Sequence, residues 1–168
     1  SIIMSVHNGE SSLKKSLESL IIQTYKNIEI LIMDDGSSDN SFQILEELSK
    51  SDKRIRISKN NENIGLTKSL NLLIKESKGE FIARQDADDI SNENRIKKQL
   101  HFMKINNLDA STTRAEIIGK KRIIPNLSYF LPKKLVIKYK NPYIHGSLVI
   151  KKSILEKHNN YDWITPLA

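Results

Sequence analysis

Ile28-Glu-Ile-Leu-Ile-Met-Asp-Asp-Gly-Ser-Ser-Asp-Asn-Ser-Phe-Gln-Ile-Leu-Glu-Glu-Leu48 decides the fold class. Its first part, Ile28 to Met33, is an apolar run of strand length that stops at a turn signal, Asp34-Asp35-Gly36. Asp39 is then placed to cap a helix carrying Phe42, Ile44, Leu45 and Leu48. The same strand, turn and helix unit recurs on both sides. Upstream, Ser1 to Val6 reads as a short buried strand ended by Asn8-Gly9. Leu13, Leu17, Leu20 and Ile21 follow at helical spacing, with Ser11 or Ser12 as cap. Downstream, Ile55 and Ile57 mark a third strand, and Leu66, Leu70, Leu73 and Ile74 a third helix closed by Lys78-Gly79 as a glycine C-cap. Phe81 to Ala83 begins a fourth strand that runs into Asp86-Ala87-Asp88-Asp89, and a helix is expected over residues 92–106.

Strands alternating with such helices imply right-handed βαβ crossovers in an α/β fold, its mostly parallel central sheet having helices on both faces. The second half is less regular. Ala115 to Ile118 and Arg122 to Ile124, split by Gly119-Lys120, predict a hairpin; Pro132 to Tyr139 predicts a short helix and Ser147 to Ile150 a strand. With no internal repeat, linker or low-complexity segment, residues 1–168 read as one domain.

Composition narrows the function classes. No segment approaches the roughly 18 apolar residues of a membrane span. Cysteine is absent, which excludes disulfides and thiolate metal sites and fits a cytoplasmic location. No basic region precedes the first apolar run, so no signal peptide is expected. The chain starts without Met and directly in a strand, as if a few residues preceded it. The net charge of +7 favours anionic partners: a nucleotide, a nucleic acid or an acidic membrane face. The plain alternative is a lysine-rich solvated surface. Much of the excess lies beyond residue 94, at Arg95, Lys97, Lys98, Lys104, Lys120, Lys121, Arg122, Lys133 and Lys134.

In open parallel α/β sheets ligands bind beyond the carboxyl ends of the strands. Here three strand ends are polar: Ser5 to Asn8, Asp34 to Asp39 and Asp86 to Asp89. Three carboxylates within four residues repel one another unless they are solvated, cap a helix or coordinate a cation. Of Asp86 and Asp88, one can hold a ligand hydroxyl while the other reaches Mg²⁺ or Mn²⁺ shared with phosphate oxygens; the competing reading is an N-cap with an acidic first turn. A carboxylate of Asp34-Asp35 can accept from a base N–H or a ribose hydroxyl, or the run merely forms a turn followed by a cap. Arg84 reads as an internal counter-ion for Asp86 or Asp88, and His7 as a packed or solvent-facing residue. The N-terminus of the third helix, opened by Asn63-Ile64-Gly65, favours an anion, and Lys68 in its first turn contacts phosphate or is simply solvated.

The order of these motifs resembles the family 2 inverting glycosyltransferases with the GT-A fold. The likeness is carried by Ser1 to Asn8, Gln23-Thr24-Tyr25, Asp34 to Asp39, Asn63-Ile64-Gly65, Lys78 to Ala83, Asp86 to Asp89 and Asn94-Arg95. Asn141 to Ser147, Lys151 to Leu155 and Tyr161-Asp162 resemble the later part of bacterial members that build surface polysaccharides. The resemblance implies a nucleotide-sugar-binding half over residues 1–100 and an acceptor-side half over 101–168. Ser5 and Val6 would line the nucleotide pocket, Asp35 would read the base, and Lys68 would lie near base or phosphates. Asp86 would bind the ribose side, Asp88 would coordinate a divalent cation, Mn²⁺ or Mg²⁺, and His145 would sit near the donor sugar on the acceptor side. It further implies sugar transfer with inversion from a nucleotide sugar, UDP-linked by preference, to a saccharide or lipid-linked acceptor, in the cytoplasm or at the inner face of the plasma membrane.

Some positions depart from the pattern: Ser5 stands where the family has Pro, His7 where it has an aromatic, and Glu93 where it has Pro. Asp109 to Lys121 is short for the usual connecting strands. The family's general base follows a segment like Tyr161-Asp162; Asp162 does not match it, so the base is expected beyond Ala168. Two other classes stay open. A nucleotidyltransferase would need a Gly-rich basic loop, and Ser5 to Ser12 offers only Gly9. A nucleic-acid-binding module fits the charge but not the acidic strand ends or the 6% aromatic content.

Overall fold

The computed structural model describes residues 1–120, 122–125 and 143–158. The apolar run of the decisive segment becomes β2 (Ile30–Asp34), and every one of its residues is buried. A strand buried on both faces must have partners on each side. β2 lies between β1 (Ile2–Val6) and β3 (Ile55–Lys59), parallel to both, with Val6 opposite Asp34 and Asp34 opposite Lys59. β1 pairs in parallel with β4 (Phe81–Arg84) on its other edge. β8 (Val149–Lys151) then runs antiparallel to β4, and β5 (Ala110–Ser111) antiparallel to β8. The six-stranded order is β3-β2-β1-β4-β8-β5.

Side chains alternate across each strand, so two separate cores form. On one face Ile2, Met4, Val6, Ile30 and Ile32 pack with Leu13, Leu17 and Leu20 of α1 (Leu13–Ile21), Leu45 of α2 (Ser41–Ser51), and Ile96 and Met103 of α4 (Arg95–Ile105). On the other, Ile3, Leu31, Met33 and Ile82 meet Leu70, Leu73 and Ile74 of α3 (Leu66–Glu76) and Leu155 of α5 (Lys152–Lys157). The hairpin expected around Gly119 is present as β6 (Ala115–Ile117) and β7 (Arg122–Ile124).

Several boundaries differ from the sequence reading. α3 is not closed by a glycine. Ser77 ends it in an extended conformation, and the Ser77 hydroxyl donates back to the Ile74 carbonyl at 2.6 Å. Ser147 belongs to a 3-10 turn, His145–Ser147, so the strand starts at Val149. The helix expected over 132–139 and the Tyr161-Asp162 segment lie outside the described residues.

Candidate functional site

β2, β1 and β4 are neighbours, so their polar carboxyl ends converge on one sheet edge. Helices following β1 and β4 also leave in opposite directions along the sheet, making this a topological switch point. The loops after β1 and β2 are tied together. Asn8 Oδ1 accepts from the Ser38 N–H at 2.8 Å, and the Asn8 N–H donates to Ser37 Oγ at 3.0 Å. The Gly9 N–H donates to Ser41 Oγ at 2.8 Å, and Asp39 bridges the Glu10 and Ser41 N–H groups at 3.0 and 2.9 Å. Asn8 and Asp39 therefore serve architecture. His7 is exposed, with Nδ1 donating to the Asp35 carbonyl at 2.9 Å. Gly36 adopts φ +68°, and a Cβ there would sit 2.6 Å from the Glu62 backbone, so this turn needs glycine twice over.

Asp34 and Asp35 have opposite fates. Asp35 points to the start of α3: Oδ1 accepts from Asn60 Nδ2 at 2.8 Å and the Ile64 N–H at 3.0 Å, and Oδ2 from the Gly65 N–H at 2.9 Å. The anion expected at this helix start is thus the protein's own carboxylate. Burial alone would raise its pKa, but hydrogen bonds from Ile64, Asn60, Ser69 and Gly65 outweigh burial and hold it below the ordinary value. Asp34 is fully buried, and among the described residues neither carboxylate oxygen has a hydrogen-bond partner. Lys59 Nζ stands 3.9 Å from Asp34 Oδ2 and also lies over the Phe42 ring. Lys68 is exposed on the first turn of α3, one turn from the residues that hold Asp35.

The acidic run is not a helix cap. α4 begins at Arg95 behind Asn94, and its first turn holds no acidic residue. Asp86 to Asp89 instead form a tight loop closed by Asp89 N–H donating to the Asp86 carbonyl at 3.2 Å. Gln85, 2% exposed, supports it from beneath. Gln85 Nε2 donates to the carbonyls of Asp86 (3.2 Å) and Asp89 (2.7 Å), while Oε1 accepts from Ser91 Oγ (2.6 Å) and Arg95 Nη2 (3.2 Å). Ser16 Oγ also donates to the Asp86 carbonyl at 3.2 Å. Sequence reasoning passed over Gln85 and Ser16; a polar residue ending an apolar strand directly before the acidic run was the available signal.

Charge is concentrated here. Arg84 Nε donates to Asp86 Oδ1 at 2.9 Å, so Arg84 is the counter-ion of Asp86. Burial first, then the charges of Asp86 and Asp88, raise the Asp89 carboxyl above its ordinary range. Arg95, 7% exposed, is pulled down to about 10 by burial, with Asp89 and Asp86 opposing the fall. The His145–Ser147 turn closes the other side. A Cβ on Gly146 would lie 2.7 Å from both Asp86 Oδ2 and Asp89 Oδ2. Burial and then Arg84 lower the His145 pKa, offset in part by Asp86. The fold therefore brings Asp86, Asp88, Asp89 and His145 to one place. Ser5, Val6 and Asp35 stand at the adjoining strand ends, and Lys68 is not brought into contact with the acidic loop by any described hydrogen bond.

Asp86 and Asp88 offer hard carboxylate oxygens of the kind Mg²⁺ and Mn²⁺ take, in a loop where Asp86 and Asp89 feel the charges of Arg84 and Arg95. Asp88 is exposed. Among the described residues no three His, Asp or Glu side chains are grouped to hold a metal by themselves, which leaves phosphate oxygens and water to complete a coordination sphere. A separate cleft of about 1080 Å³ lies at the opposite, amino-terminal edge of the sheet, lined by Glu29, Phe81, Leu100, Lys104 and Val149 among others. It holds none of these residues.

Comparison with known proteins fits this arrangement. The family model described as Glycosyl transferase family 2 matches residues 1–158. The Escherichia coli UDP-Glc:alpha-D-GlcNAc-diphosphoundecaprenol beta-1,3-glucosyltransferase WfgD is 38% identical over 125 residues, covering 74% of this chain and 48% of WfgD. The S. aureus protein TarS, solved in complex with UDP, superposes with a TM-score of 0.78 at 22% identity, covering 94% of this chain and 48% of that one. The mannosyltransferase PcManGT from Pyrobaculum calidifontis, solved with GDP-Man and Mn²⁺, gives a TM-score of 0.77 at 16% identity, covering 95% of this chain and 46% of that one. At such identities the structural likeness speaks for the fold alone. The chain spans about half the length of the curated relatives it matches.

Proposed function

Because the chain belongs to glycosyl transferase family 2 and has its GT-A fold, we propose that its carboxyl sheet edge binds a nucleotide-sugar donor through a divalent cation, for transfer of the sugar with inversion to a saccharide or lipid-linked acceptor. The observation that carries this reading is the acidic loop Asp86 to Asp89, which caps no helix and is held at the switch point by the side chain of the buried Gln85. UDP is the favoured nucleotide, since TarS was solved with UDP and WfgD is named for a UDP-linked donor. The latter's name also specifies a diphosphoundecaprenol-linked acceptor, which supports a lipid-linked acceptor and a role in surface polysaccharide assembly here. Such an acceptor would bring the basic second half to an anionic membrane surface.

In this reading Ser5 and Val6 flank the base. Asp35, held against the start of α3 by the Gly65 N–H on Oδ2, reads the base. Asp86, oriented by Arg84, takes the ribose side, and Asp88 holds Mn²⁺ or Mg²⁺ together with the diphosphate oxygens. The cation supplies charge neutralisation of the leaving diphosphate. Lys68 adds a positive charge toward base or phosphate. His145 stands on the acceptor side of the acidic loop, near where the donor sugar would lie. No described residue is assigned as general base. Calorimetric titration of UDP, GDP and dTDP in Mn²⁺ and in chelator tests the reading: UDP binding strengthened by Mn²⁺ is the expected result. Folded protein that binds none of the three in either condition would contradict it.

A further inference from the structure

We propose that Gln85 is a positioning residue, which sets the acidic loop so that its carboxylates meet the cation and diphosphate. The inference rests on the donor-site reading above. Gln85 follows β4 directly, on the strand face that looks toward α1 and α4, so its side chain enters the space beneath residues 86–91. There it bonds both ends of the Asp86–Asp89 turn at once, at the Asp86 and Asp89 carbonyls. Its own orientation is fixed at the other end by Ser91 Oγ and Arg95 Nη2, both reaching Oε1. Ser91 is itself anchored, since its N–H donates to Ser19 Oγ of α1 at 3.0 Å.

The need for such a device follows from charge. Three carboxylates within four residues repel one another and push the loop open. Only the Asp89 N–H to Asp86 carbonyl bond closes the turn within its own backbone. A buried amide satisfied at both ends holds one geometry, because an alternative loop would strand its donors and acceptors away from water. Replacing it with an apolar side chain of similar shape removes the hold on the carbonyls and leaves the carboxylates untouched.

The test compares Gln85→Met, Gln85→Glu and Ser91→Ala with the unaltered 168-residue chain. UDP affinity is measured by calorimetry with Mn²⁺ and with chelator, Mn²⁺ affinity by electron paramagnetic resonance, and folding by thermal melting. In Gln85→Met the Mn²⁺-dependent gain in UDP affinity should fall about tenfold, while UDP affinity in chelator stays within about twofold. Gln85→Glu keeps the acceptor toward Ser91 and Arg95 but loses the donors, and should match Gln85→Met. Ser91→Ala should show a smaller loss of the same kind. An unchanged Mn²⁺-dependent gain in Gln85→Met would overturn the inference, as would an equal loss with and without Mn²⁺. If the unaltered chain shows no Mn²⁺-dependent gain, the donor-site reading itself fails and takes this inference with it.

Discussion

The two edges of the sheet carry opposite kinds of information. At the amino edge lies a cleft of about 1080 Å³ lined by Phe81, Leu100, Val149, Lys104 and Glu29 among others. At the carboxyl edge the chain is instead laced together by short polar bonds, from Asn8 to Ser38, from Asp35 to Gly65 and from Gln85 to Asp89. Concavity alone would direct attention to the first edge. Chemistry directs it to the second, where three carboxylates, two arginines and His145 are brought together at a cost in repulsion and desolvation. A ligand would relieve such concentrated charge, which is why the proposed donor site is placed at the charged edge and not at the larger cleft.

The sharpest way to break this contrast is to disable each edge in turn. Asp88→Ala should weaken Mn²⁺-dependent UDP binding by at least about 100-fold, beyond the 10–100-fold typical of residues that only support a ligand. Leu100→Ala, at the other edge, should leave that affinity unchanged. Equal effects in the two variants, read by calorimetry, would erase the distinction.

A second test concerns stability at the carboxyl edge. Asp35→Asn loses the ionised acceptor that Asn60, Ile64 and Gly65 bond and should cost about 1–3 kcal/mol at pH 7, read from urea unfolding. The sign of its pH dependence follows from its lowered pKa. A depressed carboxyl contributes stability that is complete above the unfolded value, about 3.9, and is lost as pH falls through the lower folded value. The gap between the unaltered chain and the variant should therefore be widest at neutral pH and narrow below about pH 4.

Smaller effects sharpen the picture. Lys68→Ala removes an exposed charge and should weaken UDP binding by roughly 1.4- to fivefold, in keeping with about 0.2–1 kcal/mol for an exposed pair. The loss should shrink at high salt. Lys104→Ala, on the rim of the amino-edge cleft, should change melting stability by less than about 0.5 kcal/mol and nucleotide binding not at all.

What the sequence disclosed divides along similar lines. β1, β2, β4 and their polar ends were legible because a short, mostly apolar run followed by a cluster of Asp or Asn has few alternative readings. The β6–β7 hairpin was legible from Gly119. Arg84 was legible as a counter-ion of Asp86 or Asp88, and the structure pairs it with Asp86, since residues two apart on an extended segment share a face. β5, only Ala110–Ser111, was invisible because two residues carry no period and exist as a strand only by pairing with β8. Lys78-Gly79 misled because Ser77 can end a helix with its own hydroxyl. Asp39 and Asp35 look alike in sequence, yet one ties loops together and the other holds the start of α3. Gln85 was missed because its four key partners come from the adjoining loop and α4, and nothing in the local spelling announces them.

The most direct test of the donor-site reading is a crystal structure of the chain with UDP and Mn²⁺, using anomalous scattering to place the metal. An anomalous peak beside Asp88, bridged to a diphosphate whose base lies toward Ser5, Val6 and Asp35, is the predicted result. Nucleotide and metal seated in the amino-edge cleft among Glu29, Leu100 and Lys104, with the acidic loop empty, would contradict it.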